Sequence, residues 1–560
     1  MVDSVPAERS LPRNTIFALL VIGVVPTVLH LLLSRYGFSP TDDGFVLAAA
    51  RRVVDGQLPH RDFISVRPAL SAWLHAPEIL LGGAYTYWLS RWFVCLQLGA
   101  IAWAWVRTAE QLHERPLPLP ERLGLAVLAL ILTLHTFPLM AWPSIDAMFL
   151  ASLGLCAVAS RRPRLMWVGY AGLGASALCR QNFGLVPLFA LVLFGDWRQL
   201  RYVVAAGVAG ATYVAVMAIE GALFDMLHQV TAAGSVRERG LDPYILNPLV
   251  PWGVLGGFLA LELLSAGSRA GPARRRSTLW RSVGAAAVLA MMLRMTMALR
   301  PGQNYVFGAS FLLFAFVLGA VLSMWLRRQP SDAPLLRLGA LVLMVGWSVG
   351  LSIGWTSPAL ASGALAVFLW FLWRARVEDL LVASGVPALL RYASIAALAA
   401  FAVFNGYAAR TRAIYREPAL AKITAPLGGV LPGGELLETN QRTHAFLSDL
   451  KHAVDDIEAS GKRYAIVPDV AGWWASAAQP NPIAVDWAFP METPSPELQA
   501  QLTRSLDEKR GQLIALVQKV RADLLRKRFE PLDSSYSKLL EHVRTRWNKT
   551  GETRYFDLYE

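Results

Sequence analysis

Ile16-Phe17-Ala18-Leu19-Leu20-Val21-Ile22-Gly23-Val24-Val25-Pro26-Thr27-Val28-Leu29-His30-Leu31-Leu32-Leu33 is a run of 18 residues without an acid, a lysine or an arginine. As an α-helix it would rise about 27 Å, close to the ~30 Å hydrocarbon core of a bilayer. Runs of this kind recur along a chain of 560 residues that is 55% apolar, with a mean hydropathy of +0.40. Soluble chains are normally about 45–50% apolar. The expected fold class is therefore a polytopic α-helical membrane protein. The first run has no small-residue cleavage site behind it, so it reads as a retained signal anchor.

The net charge of +13 invites a nucleic-acid reading, and its distribution answers it. Residues 1–409 carry 32 Arg, no Lys and 20 acids, whereas residues 410–560 carry 21 basic and 20 acidic residues. The excess belongs to the apolar part, where it sets topology, and no nucleic-acid partner is implied. Thirteen spans are expected, centred near residues 25, 95, 131, 152, 172, 189, 210, 257, 288, 315, 345, 367 and 400. With the N-terminus cytoplasmic, 21 of those 32 arginines fall in cytoplasmic segments and nine outside, while Arg91 and Arg294 lie within spans. That bias and the odd span count place residues 410–560 on the extracytoplasmic side of the inner or plasma membrane.

Two regions follow: a transmembrane region, 1–409, whose first outside loop covers 35–83, and a small extracytoplasmic α/β domain, 410–560. The second opens with a turn-rich linker from Pro426 to Gly434. Helices are expected over Thr443–Ser460, Glu497–Lys509 and Tyr536–Trp547, and strands over Tyr464–Val467, Leu513–Val517 and Tyr555–Tyr559. Cys95, Cys156 and Cys179 all lie in or beside apolar spans, which leaves the domain without a cysteine-based framework.

The first outside loop carries Thr41-Asp42-Asp43-Gly44-Phe45, and then Gly56-Gln57-Leu58-Pro59-His60-Arg61-Asp62-Phe63. Val46, Leu47, Ala50, Val53 and Val54 share one helical face, and Arg51, Arg52 and Asp55 lie away from it. The spacing predicts a short amphipathic helix lying in the membrane interface. Taken alone, Asp42 and Asp43 read as its N-terminal cap.

Asp42-Asp43-Gly44-Phe45, Ala49-Ala50-Arg51-Arg52 and Gly56 to Phe63, placed just after a first span, resemble the first periplasmic loop of C-type integral-membrane glycosyltransferases (the GT-C superfamily). The similarity is to the bacterial enzymes of family 39, the protein O-mannosyltransferases, and to the lipid A aminoarabinose transferase. It extends to the span layout, the external domain and the surroundings of Asn304-Tyr305. Two positions depart from the pattern: Asp43 stands where Glu is commoner, and His60 where Tyr is usual. The resemblance implies inverting transfer of a hexosyl or pentosyl group from a polyprenyl-phosphate donor to a hydroxyl acceptor on an envelope glycan, lipid or protein. Asp42 or Asp43 would be the base, and no cofactor or metal is implied.

A departing lipid phosphate needs a cation, and the planar guanidinium suits phosphate oxygens. Arg180, in the polar break Arg180-Gln181-Asn182, ranks first for that role, followed by Arg300 and then Arg294. An ionisable residue inside an apolar span is a functional candidate by default. Asp146, Gln181, Asn304 and Tyr305 are candidate substrate contacts, with a helix cap the alternative for Asp146. His30, His60, His75 and His135 lack metal-ligand spacing and read as packing or interfacial residues. Trp473, Trp474 and Trp487 could stack on sugar faces, although such aromatics are more often core. Two other functions share these features: a flippase of lipid-linked saccharides, which would carry matching repeats that the chain lacks, and a non-catalytic glycan-binding membrane protein.

Overall fold

The computed structural model of the chain describes residues 16–135, 139–232, 236–265, 274–299, 305–351, 357–383, 387–488 and 492–560. It is a long bundle of apolar helices with a small α/β region at the C-terminal end. Each of the thirteen expected span centres falls within a helix. Eight of the helical stretches among the described residues are long and apolar enough to cross a membrane, and Pro143–Ala159, Gln181–Phe194 and Leu249–Ser265 are shorter apolar helices. The elements that position the site are α1 (Ile16–Leu33), α2 (Phe45–Val54), α3 (Thr86–His113), α4 (Pro143–Ala159) and α5 (Ala388–Arg412). Residues 70–82 of the expected first loop are also helical, leading into α3.

Hydrophobic burial gives helices little reason to associate when lipid is equally apolar, so close backbone approach has to supply the contact. The pair Leu249–Ser265 and Tyr305–Arg327 achieves this with small residues. A Cβ on Gly257 would lie 1.8 Å from the Phe316 carbonyl oxygen, and one on Gly319 would lie 2.0 Å from that of Val254. Each glycine therefore sits where a neighbouring backbone replaces a side chain.

The C-terminal region starts after α5, which runs through residues 410–412. The linker from Pro426 to Gly434 belongs to a hairpin of two short strands, β1 (Ile423–Pro426) and β2 (Glu438–Asn440), which the turn-rich composition does not reveal. The main sheet contains β3 (Arg463–Val467), β4 (Leu513–Gln518), β5 (Lys549–Glu552) and β6 (Phe556–Tyr559), in the order β3-β4-β6-β5. β3 and β4 are parallel, and β6 runs antiparallel to both β4 and β5. The helices α6 (Gln441–Ala459), α7 (Pro496–Asp507) and α8 (Lys538–Arg546) match the expected ones in place.

β3 and β4 read as continuous apolar runs because both faces are covered. Tyr464, Ile466 and Leu516 face a core shared with α6, whereas Ala465, Val467, Ala515 and Val517 face a second core with α7 and α8. The first of these cores continues into the loop region, through Phe38, Val46, Leu47 and Tyr87.

α2 therefore has a protein cover as well as a membrane-side neighbour. Arg52, expected on its polar face, is 4% exposed and ion-pairs with Asp486 at 2.8 Å. It also donates to the Ile483 carbonyl at 2.5 Å. The helix is clamped between the bundle and the C-terminal region instead of lying free in the interface.

Substituting Gly257→Ala is expected to lower the thermal unfolding midpoint of the detergent-purified chain, at a cost of about 1–3 kcal/mol from overpacking. Gly256→Ala is the control, because a Cβ there meets Phe316 at an ordinary 3.7 Å. Equal midpoints for the two variants would refute the close-approach account.

Candidate functional site

Asp42 and Asp43 are both buried, at 1% and 6% exposure. Neither caps α2: the N-cap residue is Gly44, and no side chain caps the helix. Gly44 is there because its neighbours leave no room, since a Cβ would lie 2.5 Å from the Gly472 Cα and 2.8 Å from the Tyr87 hydroxyl. The carboxylates are committed elsewhere, which corrects the capping expectation.

Asp43 accepts from the Ser39 amide through Oδ2, at 2.8 Å, and from Arg91 through Oδ1, at 3.1 Å. Arg91, on α3, also donates to the Ser34 and Gly37 carbonyls, each at 2.6 Å. Asp42 accepts at Oδ2 from the Tyr415 hydroxyl at 2.6 Å, and the same oxygen pairs with Arg416 at 3.1 Å. Its Oδ1 is buried with no hydrogen-bond partner among the described residues. Burial raises both carboxyl pKa values, against the opposing pull of Arg416 and Tyr415 on Asp42 and of Arg91 and the Ser39 amide on Asp43. A raised pKa with an acceptor oxygen that has no partner among the described residues describes a group able to take a proton.

A second cluster gathers arginines. Arg180 is 6% exposed and donates to Ser144 Oγ and, at 3.0 Å, to the Leu351 carbonyl. Among the described residues it makes no carboxylate ion pair; it lies within electrostatic reach of Arg67, Arg239 and Glu492. Arg67 forks onto Glu492 at 2.5 and 2.8 Å and lies over the Phe45 ring at 5.7 Å. Arg239 faces Glu238 and Glu492 in addition to Arg67. Gln181 binds the Val66 carbonyl at 3.2 Å, which ties the Arg180 break to the loop beside Arg67. Arg67 and Glu492 line a cavity whose wall also includes Phe45, Pro143 and Trp487.

The structure thus brings Arg180 and Gln181 to the first loop and adds Arg67, Arg239, Tyr415 and Arg416, none of which the sequence reading had proposed for the site. Arg67 had a signal, since it lies in the carboxylate loop itself. Arg91 had one too: it is an ionisable residue within a span, the criterion that singled out Arg294. Arg416 had none, because its approach depends on how α5 ends. Arg300 and Asn304 lie outside the described residues, as does the side chain of Tyr305, which begins a helix. Arg294 lies half-buried in Arg274–Ala298.

Asp146 is fully buried in the first turn of α4 and does not cap it. Its Oδ1 meets His75 Nε2 at 3.1 Å and accepts from Gln97 at 2.8 Å, and His75 Nδ1 meets Glu78 at 2.8 Å. His60 is a packing residue, held by Tyr213 at 2.7 Å and Gln229 at 3.0 Å, and burial lowers its pKa. His30 packs on Trp88 with ring centroids 4.2 Å apart, while the side chain of His135 lies outside the described residues. Trp473 and Trp474 are core: the first donates to the Tyr464 hydroxyl at 2.8 Å and the second stacks on that ring. Stacking on sugars is closed to them by burial. Among the described residues, no group of three or more His, Cys, Asp or Glu is placed to hold a metal ion.

No family model matches the chain, and no curated relative matches it. Among solved structures, ArnT from Cupriavidus metallidurans, crystallised with undecaprenyl phosphate, is similar at 15% identity and a TM-score of 0.41, over 97% of this chain and 98% of that one. The apo crystal structure of the same protein is similar at 13% identity and a TM-score of 0.38, over 98% of each chain. Similarity of that degree transfers no residue role.

Asp469, on the C-terminal side of the carboxylates, accepts from the Tyr536 hydroxyl at 3.1 Å. Burial pushes its carboxyl from the ordinary 3.8 to about 8. Between those values the folded chain holds a proton that the unfolded chain has released, so stability falls as pH rises across that window, by up to about 1.4 kcal/mol per unit. Asp469→Asn is expected to match the parent in thermal unfolding near pH 4 and to exceed it increasingly towards pH 8. A pH-independent difference would refute this.

Proposed function

We propose that the chain is a membrane glycosyltransferase that moves a sugar from a polyprenyl-phosphate donor to a hydroxyl acceptor, with inversion. The observation that carries the reading is the convergence of Arg67, Arg180 and Arg239, opposed among the described residues by Glu492 and Glu238, beside the loop that holds Asp42. An excess of guanidinium charge in a part-buried site calls for an anion, and the phosphate fork is the geometry guanidinium serves best.

In the reaction, Asp42 Oδ1 takes the hydroxyl proton as the acceptor oxygen attacks the anomeric carbon. The bond from that carbon to the phosphate oxygen breaks, and the electron pair leaves with the lipid phosphate. Arg67 and Arg180 stabilise that developing charge. Asp43 is the brace, because both of its oxygens are already occupied by the Ser39 amide and Arg91. The two-region organisation, with residues 410–560 extracytoplasmic, completes the proposal. That region supplies Glu492 to the arginines and Arg416 to Asp42.

Purified protein assayed with polyprenyl-phosphate sugars is expected to lose about 10²–10⁴-fold in rate on Asp42→Asn. Arg67→Ala or Arg180→Ala is expected to cost about 10²–10³-fold. Full transfer by Asp42→Asn would remove the base assignment. Movement of labelled lipid-linked sugar across a bilayer without transfer would replace the whole reading with a flippase.

A further inference from the structure

A different cavity, of about 210 Å³, lies where the ends of α1 and α5 meet the first loop. It shares no lining residue with the Arg67 cavity, and the carboxylate loop passes between them: Asp43 lines this one and Phe45 the other. Its lining is divided. Arg91, Arg410 and Asp43 supply charge, while Leu32, Leu33 and Leu139 are among its apolar walls.

Among the described lining residues two positive groups thus face one carboxylate, and Arg410 also donates to the Leu134 carbonyl. Arg91 and Arg410 are close enough to repel each other. Arg91 is 4% exposed, and its Nε lacks an acceptor among the described residues, although both terminal nitrogens are engaged. An anion in the cavity would relieve the repulsion and offer an oxygen to that N–H. The helices that flank the cavity present apolar faces outward, with Leu32 54% and Phe404 69% exposed, as lipid-facing surfaces do. The occupant therefore needs an anionic head and apolar chains that leave along those faces.

We infer that this cavity binds the phosphate headgroup of an anionic phospholipid, and that the bound headgroup braces the carboxylate loop through Arg91. Arg91 is the physical link, because the same guanidinium holds Asp43, the Gly37 carbonyl of the loop and the Ser34 carbonyl that ends α1. Binding does not depend on the transferase reading: a chain without transferase activity would still retain the lipid.

The test uses the full-length chain purified with mixed phosphatidylglycerol and phosphatidylcholine, with retained lipid measured by native mass spectrometry. Wild type is expected to retain phosphatidylglycerol preferentially. Arg410→Gln removes one charge, and Leu33→Trp fills the cavity without changing charge. Each is expected to reduce that retention about fivefold or more, the scale of one lost hydrogen bond. Equal retention of both lipids by wild type would overturn the proposal, as would full retention by a folded Leu33→Trp variant. Complete displacement by excess inorganic phosphate would mark a free-anion site, and displacement by polyprenyl phosphate alone would hand the cavity to the donor; either overturns the assignment. If retention follows the expectation while transfer assays fail, only the transferase reading falls.

Discussion

Two adjacent carboxylates with almost no solvent exposure impose the constraint on which the site depends. A buried charge is tolerated only when it is paired and hydrogen-bonded, and losing one partner of such a pair costs about 3–5 kcal/mol. Asp42 and Asp43 hydrogen-bond to different partners, although Arg416 acts electrostatically on both. Asp43 is answered from within the bundle, by Arg91 of α3. Asp42 is answered from beyond the last helix, by Tyr415 and Arg416. Compensating the pair therefore joins the loop after the first helix to the segment after the last.

The same joining explains why α2 is covered on its polar side. Arg52 pairs with Asp486, the Ile64 amide donates to the Ala484 carbonyl at 2.7 Å, and the Gly472 amide donates to the Pro40 carbonyl at 2.9 Å. These bonds come from the C-terminal region and occupy backbone groups that an interfacial loop would leave to water. A helix read as amphipathic on its own residues thus becomes a largely covered one. Arg52 of the polar face meets protein, while Asp55 stays exposed and pairs with Arg51.

Much of the fold was legible because it rests on local pattern. Charge-free apolar runs mark bundle helices by length alone, and the apolar runs at Tyr464–Val467 and Leu513–Val517 mark strands buried on both faces. The missed strands β1, β2 and β5 have no such pattern. Lys549–Glu552 is polar and largely exposed, and it becomes a strand only by pairing with β6. Register with a distant partner leaves little trace in a four-residue composition.

The candidate site was legible to the extent that its chemistry is local. Asp42 and Asp43 could be singled out because they are adjacent, and Arg180 because it interrupts apolar sequence. By itself the sequence determined that this is a helical membrane chain with a mixed C-terminal region and a carboxylate pair after its first span. Tertiary structure alone decided which of the two carboxylates has an oxygen unpartnered among the described residues, and which arginines converge. Those outcomes depend on contacts across hundreds of residues, such as the 373 between Tyr415 and Asp42. Electrostatic compensation acts through space, so no window along the chain contains it.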